Sequence, residues 1–255
     1  MSIEPFVLFS PDATTTLAYR RALAWLSERG FTPRGGRFVT IDRELLGRLY
    51  PHQARGAGLG WELVVRLFEL DVSLVVALGD SSRSGDPALR LAALKGSSDP
   101  AVRGRDTLRA LLGAESRIVN FVHTPDSAEA ARDEARLLRR APLAAPPWPA
   151  RLLGREAPPV RFRQAGVSAS RLVERLTGRW EPTEHPLLDP SVPFTASAEL
   201  RRALGGVGVP EGSLEFEWAV LILACRYLDD AHGPPAGVTS DPRGSASSRP
   251  PLAAP

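Results

Sequence analysis

The sequence predicts an α+β fold: a small sheet covered by helices on one face, followed by a small helical C-terminal region. Three observations carry the prediction. Strand and helix signals alternate at regular spacing through residues 1–140. The 255-residue chain is 43% hydrophobic and 24% charged, the balance of a folded protein rather than a disordered one. Proline then becomes dense after Arg140, where the alternation stops.

Each element follows from its residues. Phe6-Val7-Leu8-Phe9 is an apolar run stopped by Ser10-Pro11-Asp12, hence a first strand. Thr14 to Arg29 sets Leu17, Arg21 and Leu23 to Leu26 at helical spacing before Gly30 ends the helix. Phe38-Val39-Thr40-Ile41 is a second strand, and Asp42 caps a short helix through Tyr50. A helix from Gly60 to Leu70 leads into Val72 to Leu78, β-branched and aliphatic enough for a buried strand. Ser84-Gly85-Asp86-Pro87 opens the next helix, which ends at Gly96. A polar loop from Ser97 to Ser116 precedes a fourth strand, Arg117 to His123, and Asp126 begins a helix to Arg140.

Beyond Arg140 the chain reads Ala-Pro-Leu-Ala-Ala-Pro-Pro-Trp-Pro, and proline denies backbone donors. Residues 141–166 are therefore expected to form an extended connector off the sheet, and residues 1–140 to fold without the C-terminal part of the chain. Helix candidates at Ser168 to Thr177, Ala196 to Leu204 and Ser213 to Asp230 make 167–232 a helical region. The Pro-, Gly-, Ser- and Ala-rich segment 233–255 is expected to be a disordered tail.

Composition removes several classes of function. The longest strongly apolar stretch, Trp218 to Cys225, is far short of the ~20 residues that cross a bilayer. Met1-Ser2-Ile3-Glu4 does not open a secretory signal, and one cysteine, Cys225, excludes an intramolecular disulfide or a cysteine-built metal site. A cytoplasmic location with no membrane contact is expected. The net charge is +3, and Lys95 is the single lysine among 32 basic residues. The arginines are scattered among acids rather than massed in a stripe, so nucleic acid is not an expected partner.

The residues able to carry chemistry stand in one order. Ser10-Pro11-Asp12 closes the first strand, Tyr50 the short helix, and Gly96-Ser97-Ser98-Asp99-Pro100 opens the loop that contains Arg109. Asn120-Phe121-Val122-His123 is followed by Asp126-Ser127-Ala128-Glu129 and Glu134. Over residues 4–138 this ordered set resembles the nucleoside diphosphate kinase family, most specifically in the strand ending at His123 and the Ser-Ala-Glu helix start, which is similar to the family's phosphohistidine signature.

The resemblance implies a ferredoxin-like βαββαβ core that moves the terminal phosphate of a nucleoside triphosphate to a histidine and then to a nucleoside diphosphate. It implies Mg²⁺ carried with the nucleotide, no metal ligands of the protein's own, and a homo-oligomer. His123 takes the place of the nucleophile, a residue type whose neutral imidazole is available near pH 7. Glu134 falls where a carboxylate orients the imidazole, Tyr50 where an aromatic lines it, and Asn120 where the ribose is bound. Arg109 and Ser98 match phosphate contacts, and Trp61 lies near the base-stacking aromatic. By residue type alone, Glu134 reads as a solvated helix residue beside Glu129, Arg132 and Asp133, and Tyr50 and Trp61 read as packing aromatics. His52, His185 and His232 match nothing.

Departures from the family pattern matter as much. Ser10 stands where the family has a lysine, Ala92 where it has an arginine, and Pro125 where it has a serine. A lost charge-assisted hydrogen bond costs ~1.5–3 kcal/mol, so two of them would slow transfer roughly 10²–10⁴-fold. Lys95, three residues after Ala92 and on nearly the same helical face, is the candidate substitute cation. The sequence is thus compatible with a phosphotransferase whose phosphate site is divergent, or with a catalytically weak or inactive nucleotide-binding protein of the same fold.

Overall fold

The computed structural model describes residues 4–56, 58–82, 85–114, 116–144, 148–149, 201–202, 205–206, 208 and 210–231. Its strands are β1 (Phe6–Phe9), β2 (Phe31–Val39), β3 (Ser73–Asp80), β4 (Val122–His123) and β5 (Trp148–Pro149). Helices α1 (Pro11–Thr15) and α2 (Ala18–Glu28) connect β1 to β2, and α3 (Arg43–Leu49), α4 (Pro51–Gly56) and α5 (Leu59–Leu70) connect β2 to β3. A helix α6 (Pro87–Lys95), a 3-10 turn (Pro100–Val102) and α7 (Leu108–Leu112) lead to β4, and α8 (Ala128–Arg139) comes after it. The last described helix is α9 (Leu214–Ala231).

The strand order is β4-β1-β3-β2-β5 with each neighbouring pair antiparallel. Its first four members form the expected ferredoxin-like βαββαβ arrangement. Helices cover both faces of the sheet, however, and not one. Side chains alternate along a strand, so Phe6 and Leu8 of β1 join a core with α3, α5, α8 and α9, while Val7 and Phe9 join another with α2, α6 and α7. No helix among the described residues is long and apolar enough to cross a membrane.

Local polar chemistry explains most departures from the expected elements. The helix foreseen over 14–29 is broken at Leu17, which has φ 59°. Thr14 donates its hydroxyl to the carbonyls of Pro11 (3.0 Å) and Val72 (2.7 Å), and Thr16 to that of Asp12 (2.6 Å), drawing the backbone out of a continuous helix. The strand foreseen over 117–123 survives only at 122–123, because the Ser116 hydroxyl accepts from the amides of Ile118 (3.2 Å) and Val119 (2.7 Å). Strand β2 begins at Phe31, well before the expected Phe38, and a register shift between Pro33 and Gly35 accommodates the proline and the two glycines. The polar loop contains α7, capped by Thr107 and ended by Gly113 in the left-handed region.

The segment after Arg140 also departs from expectation. Far from leaving the sheet, Trp148–Pro149 pairs with Gly35–Gly36, and Leu143 bridges Val39. Nor does residue 140 isolate the core, since Trp218, Leu221, Ala224 and Cys225 of α9 are buried with Leu63, Val65 and Leu67 of α5. The third C-terminal helix candidate thus forms, as α9. Of Ala196 to Leu204 only residues 201 and 202 are described, and they are helical. Ser168 to Thr177, residues 150–166 and the tail 233–255 lie outside the described residues.

Candidate active site

His123 ends β4, opposite Leu8 of β1, where the chain turns through Thr124-Pro125-Asp126 into α8. The turn is fixed by Ser127, whose hydroxyl accepts from the Ala130 amide (3.1 Å) and caps α8. Helical spacing then puts Glu134 on the packed side of α8, between the buried Ala131 and Leu138. Glu134 is therefore not a solvated helix residue. Its side chain is 14% exposed, that of His123 15%, and Glu134 Oε2 lies 2.6 Å from His123 Nε2.

Tyr50 completes this group. It ends α3 and meets the imidazole edge-on, with ring centroids 5.1 Å apart and an interplanar angle of 78°. Burial, reinforced by the negative charge of Glu134, pushes its hydroxyl well above the usual tyrosine range.

The backbone before His123 is held in an unfavourable shape. Phe121 has φ 68°, a conformation that costs a bulky residue ~1–2 kcal/mol. Its amide donates to Asp12 Oδ2 (2.8 Å) and its carbonyl accepts from the Ser10 amide (3.2 Å). Ser10 Oγ in turn donates to Asp12 Oδ1 (2.5 Å). Burial raises the Asp12 carboxyl above its ordinary range, with the Ser10 hydrogen bond opposing it. The first departure from the family pattern is thus a hydroxyl directed at Asp12.

Two buried cations flank the group. Arg109 donates to the carbonyls of Gly96 (2.9 Å) and Val122 (2.8 Å), while its buried Nε has no hydrogen-bond partner. Desolvation brings its guanidinium down to about 10. Lys95, the last residue of α6, is 8% exposed and donates to the Thr124 carbonyl (2.9 Å) and to Asp126 Oδ1 (2.8 Å). Burial lowers its ammonium, and Asp126 opposes the shift. Ala92 lies one turn earlier on α6.

The structure does not gather every residue that the resemblance singled out. Trp61 is 9% exposed and packs in the α5 core, because the amphipathic face of that helix points inward. It is a packing aromatic there, not a platform open to a base. Ser98 is engaged through its carbonyl, which accepts from Arg103 Nη2 (2.8 Å). Asn120 donates through Nδ2 to the Arg117 carbonyl (2.6 Å), closing the turn before β4. Conversely, Asp12 and Asp126 stand out in the sequence only as parts of motifs. Their proximity to the site is made by pairing across 109 and 31 residues, a separation that no local pattern encodes.

Among the described residues no group of three or more His, Cys, Asp and Glu side chains is placed to hold a metal.

No protein-family model matches the chain, and no curated protein matches it. Among solved structures, the nucleoside diphosphate kinase of Aquifex aeolicus is similar at 22% identity, over 53% of this chain and 93% of that one, with a TM-score of 0.44. The apo nucleoside diphosphate kinase of Encephalitozoon cuniculi is similar at 20% identity, over 64% of this chain and 96% of that one, with a TM-score of 0.45.

Proposed function

We propose that the chain is a nucleoside diphosphate kinase-like phosphotransferase that carries a phosphate from a nucleoside triphosphate to a nucleoside diphosphate through phospho-His123. The observation that carries this reading is the 2.6 Å contact of His123 Nε2 with Glu134, with Tyr50 set edge-on against the ring. A carboxylate only accepts, so Nε2 carries the proton toward Glu134, and in the neutral ring Nδ1 then holds the lone pair.

In the first half-reaction that lone pair attacks the terminal phosphorus. The bond to the bridging oxygen breaks and the nucleoside diphosphate leaves. Glu134 steadies the imidazolium character that develops on the ring. In the second, a terminal oxygen of another nucleoside diphosphate attacks the same phosphorus, and the P–N electrons return to Nδ1. Arg109 and Lys95, bound to the carbonyls of Val122 and Thr124 on either side of His123, are the candidate cations for this charge, and Mg²⁺ bound to the nucleotide would neutralise part of it. The polar Asn120 turn and the Ser98 loop are the candidate ribose and phosphate contacts.

A second reading has its own observation. Ser10 is turned to Asp12, and Arg109 and Lys95 already serve carbonyls and Asp126, an arrangement suited to holding a nucleotide without turning it over. Incubation with γ-labelled ATP separates the readings. Acid-labile, base-stable label is expected in the wild type and not in His123→Ala, and a nucleoside diphosphate should remove it. Absence of label under excess nucleotide decides for the binder, and Ser10→Lys with Ala92→Arg should then leave turnover at zero instead of raising it.

A further inference from the structure

The contact between Lys95 and Asp126 is asymmetric. The lysine side chain is 9% exposed and that of Asp126 82%, so a nearly free carboxylate stands over a buried ammonium at 2.8 Å. The ammonium's other acceptor is the carbonyl of Thr124, the residue next to His123. Two buried polar groups beside it lack partners, Thr124 Oγ1 and Arg109 Nε. Charges from every packed element meet here: Lys95 of α6, Arg109 of α7, Asp12 of α1, Glu134 of α8, Asp126 of the turn, and the Tyr50 hydroxyl beyond α3.

We propose that Asp126 is an internal competitor for phosphate: its carboxylate occupies Lys95 Nζ and is displaced when a polyphosphate group of the ligand enters. This rests on the nucleotide reading of the site. A pair with one mostly exposed member is held weakly, since the exposed carboxylate gives up little hydration and regains it on release. A polyphosphate brings several charged oxygens to the same ammonium, where Asp126 engages it through one, Oδ1. The lysine is therefore poised for anions yet neutralised without one, and affinity is set by the difference between the two partners. A tethering role makes the opposite prediction, because removing a tether loosens the 124–126 turn and weakens binding.

The test uses the full chain and sodium tripolyphosphate without divalent metal, by calorimetry. Asp126→Ala should tighten binding roughly tenfold, Asp126→Asn by less because the amide oxygen still accepts, and Lys95→Met should abolish the gain in the double variant. A single lysine gives one ¹⁵Nζ signal after lysine labelling. That signal should move in the wild type on saturation and should already be displaced in Asp126→Ala, which makes the outcome independent of how well Lys95→Met folds. Unchanged or weaker binding by Asp126→Ala, no binding by either protein, or a static Nζ signal at saturation overturns the proposal. Phosphate label on His123 is read separately. Label without a gain in Asp126→Ala sinks the competitor alone, and a gain without label sinks the transfer reading alone.

Discussion

Glu134 draws its importance from the side of α8 that it occupies, three residues after Ala131 and four before Leu138. In Glu134→Gln the ring still finds an acceptor but loses the charge opposite it. Phosphorylation of His123 should slow about tenfold to hundredfold, the worth of a charge-assisted bond of ~1.5–3 kcal/mol, with little change in melting temperature. A rate within twofold of wild type would remove Glu134 from the reaction. Asp71 makes a residue-scale prediction about stability. Desolvation raises its carboxyl from 3.8 to about 6, opposed by the Val72 amide and the Thr15 hydroxyl. The native state thus holds the proton more tightly than the unfolded chain. Stability contributed by this group is greatest below pH 4, falls as pH rises from about 4 to 6, and stays low above that window. Asp71→Asn should therefore melt higher at pH 7, by the ~1–2 kcal/mol left after solvent screening, and no higher at pH 4. An equal offset at both pH values would show that ionisation is not the cause.

At the scale of elements, residue type and spacing told where helices and strands lie, but not where side-chain hydroxyls would interrupt them. Leu17 and Ser116 illustrate the limit: a run of threonines and one serine each capture backbone groups that the apolar pattern assigned to a helix and a strand. The Asn120 to Glu134 segment stood out through its resemblance to a family motif, whereas residue type alone read Glu134 as solvated. For Trp61 residue type alone was the better guide, a packing aromatic, and the resemblance to a base platform was not. Helix α8 is pinned at both ends. Ser127 caps its start, and Arg37 of β2 donates to the carbonyls of Leu138 and Arg139 at its end. Ser127→Ala should cost about 1 kcal/mol in a denaturant titration. It should also slow labelling of His123, because Glu134 rides on the helix that the cap aligns. Destabilisation with an unchanged labelling rate would confine the cap to stability.

For the molecule as a whole, the segments beyond Arg140 close surfaces that the first 140 residues leave open. Pro142 accepts from the Thr40 amide (3.0 Å), Ala144 donates to the Phe38 carbonyl (2.9 Å), and Trp148–Pro149 continues along Gly35–Gly36. An uncovered sheet edge of this length is a template for pairing with another chain, so copies of the intact protein cannot associate through the parts of β2 that residues 142–144 and 148–149 occupy. Elsewhere, α9 lays Trp218 and Leu221 against α5, and Arg66 pairs with Glu217 at the margin. Full burial of each large side chain is worth ~1.5–3 kcal/mol, a sizeable part of the ~5–15 kcal/mol that holds a domain folded. A fragment of residues 1–140 loses both covers at once. It should elute as aggregates or as strand-paired oligomers in light scattering, and a fragment of residues 1–232 should melt as the full chain does. A monomeric 1–140 fragment with a cooperative melt near that of the full chain would show that neither the edge nor the α5 face needs its cover, and that the core closes on the first 140 residues alone.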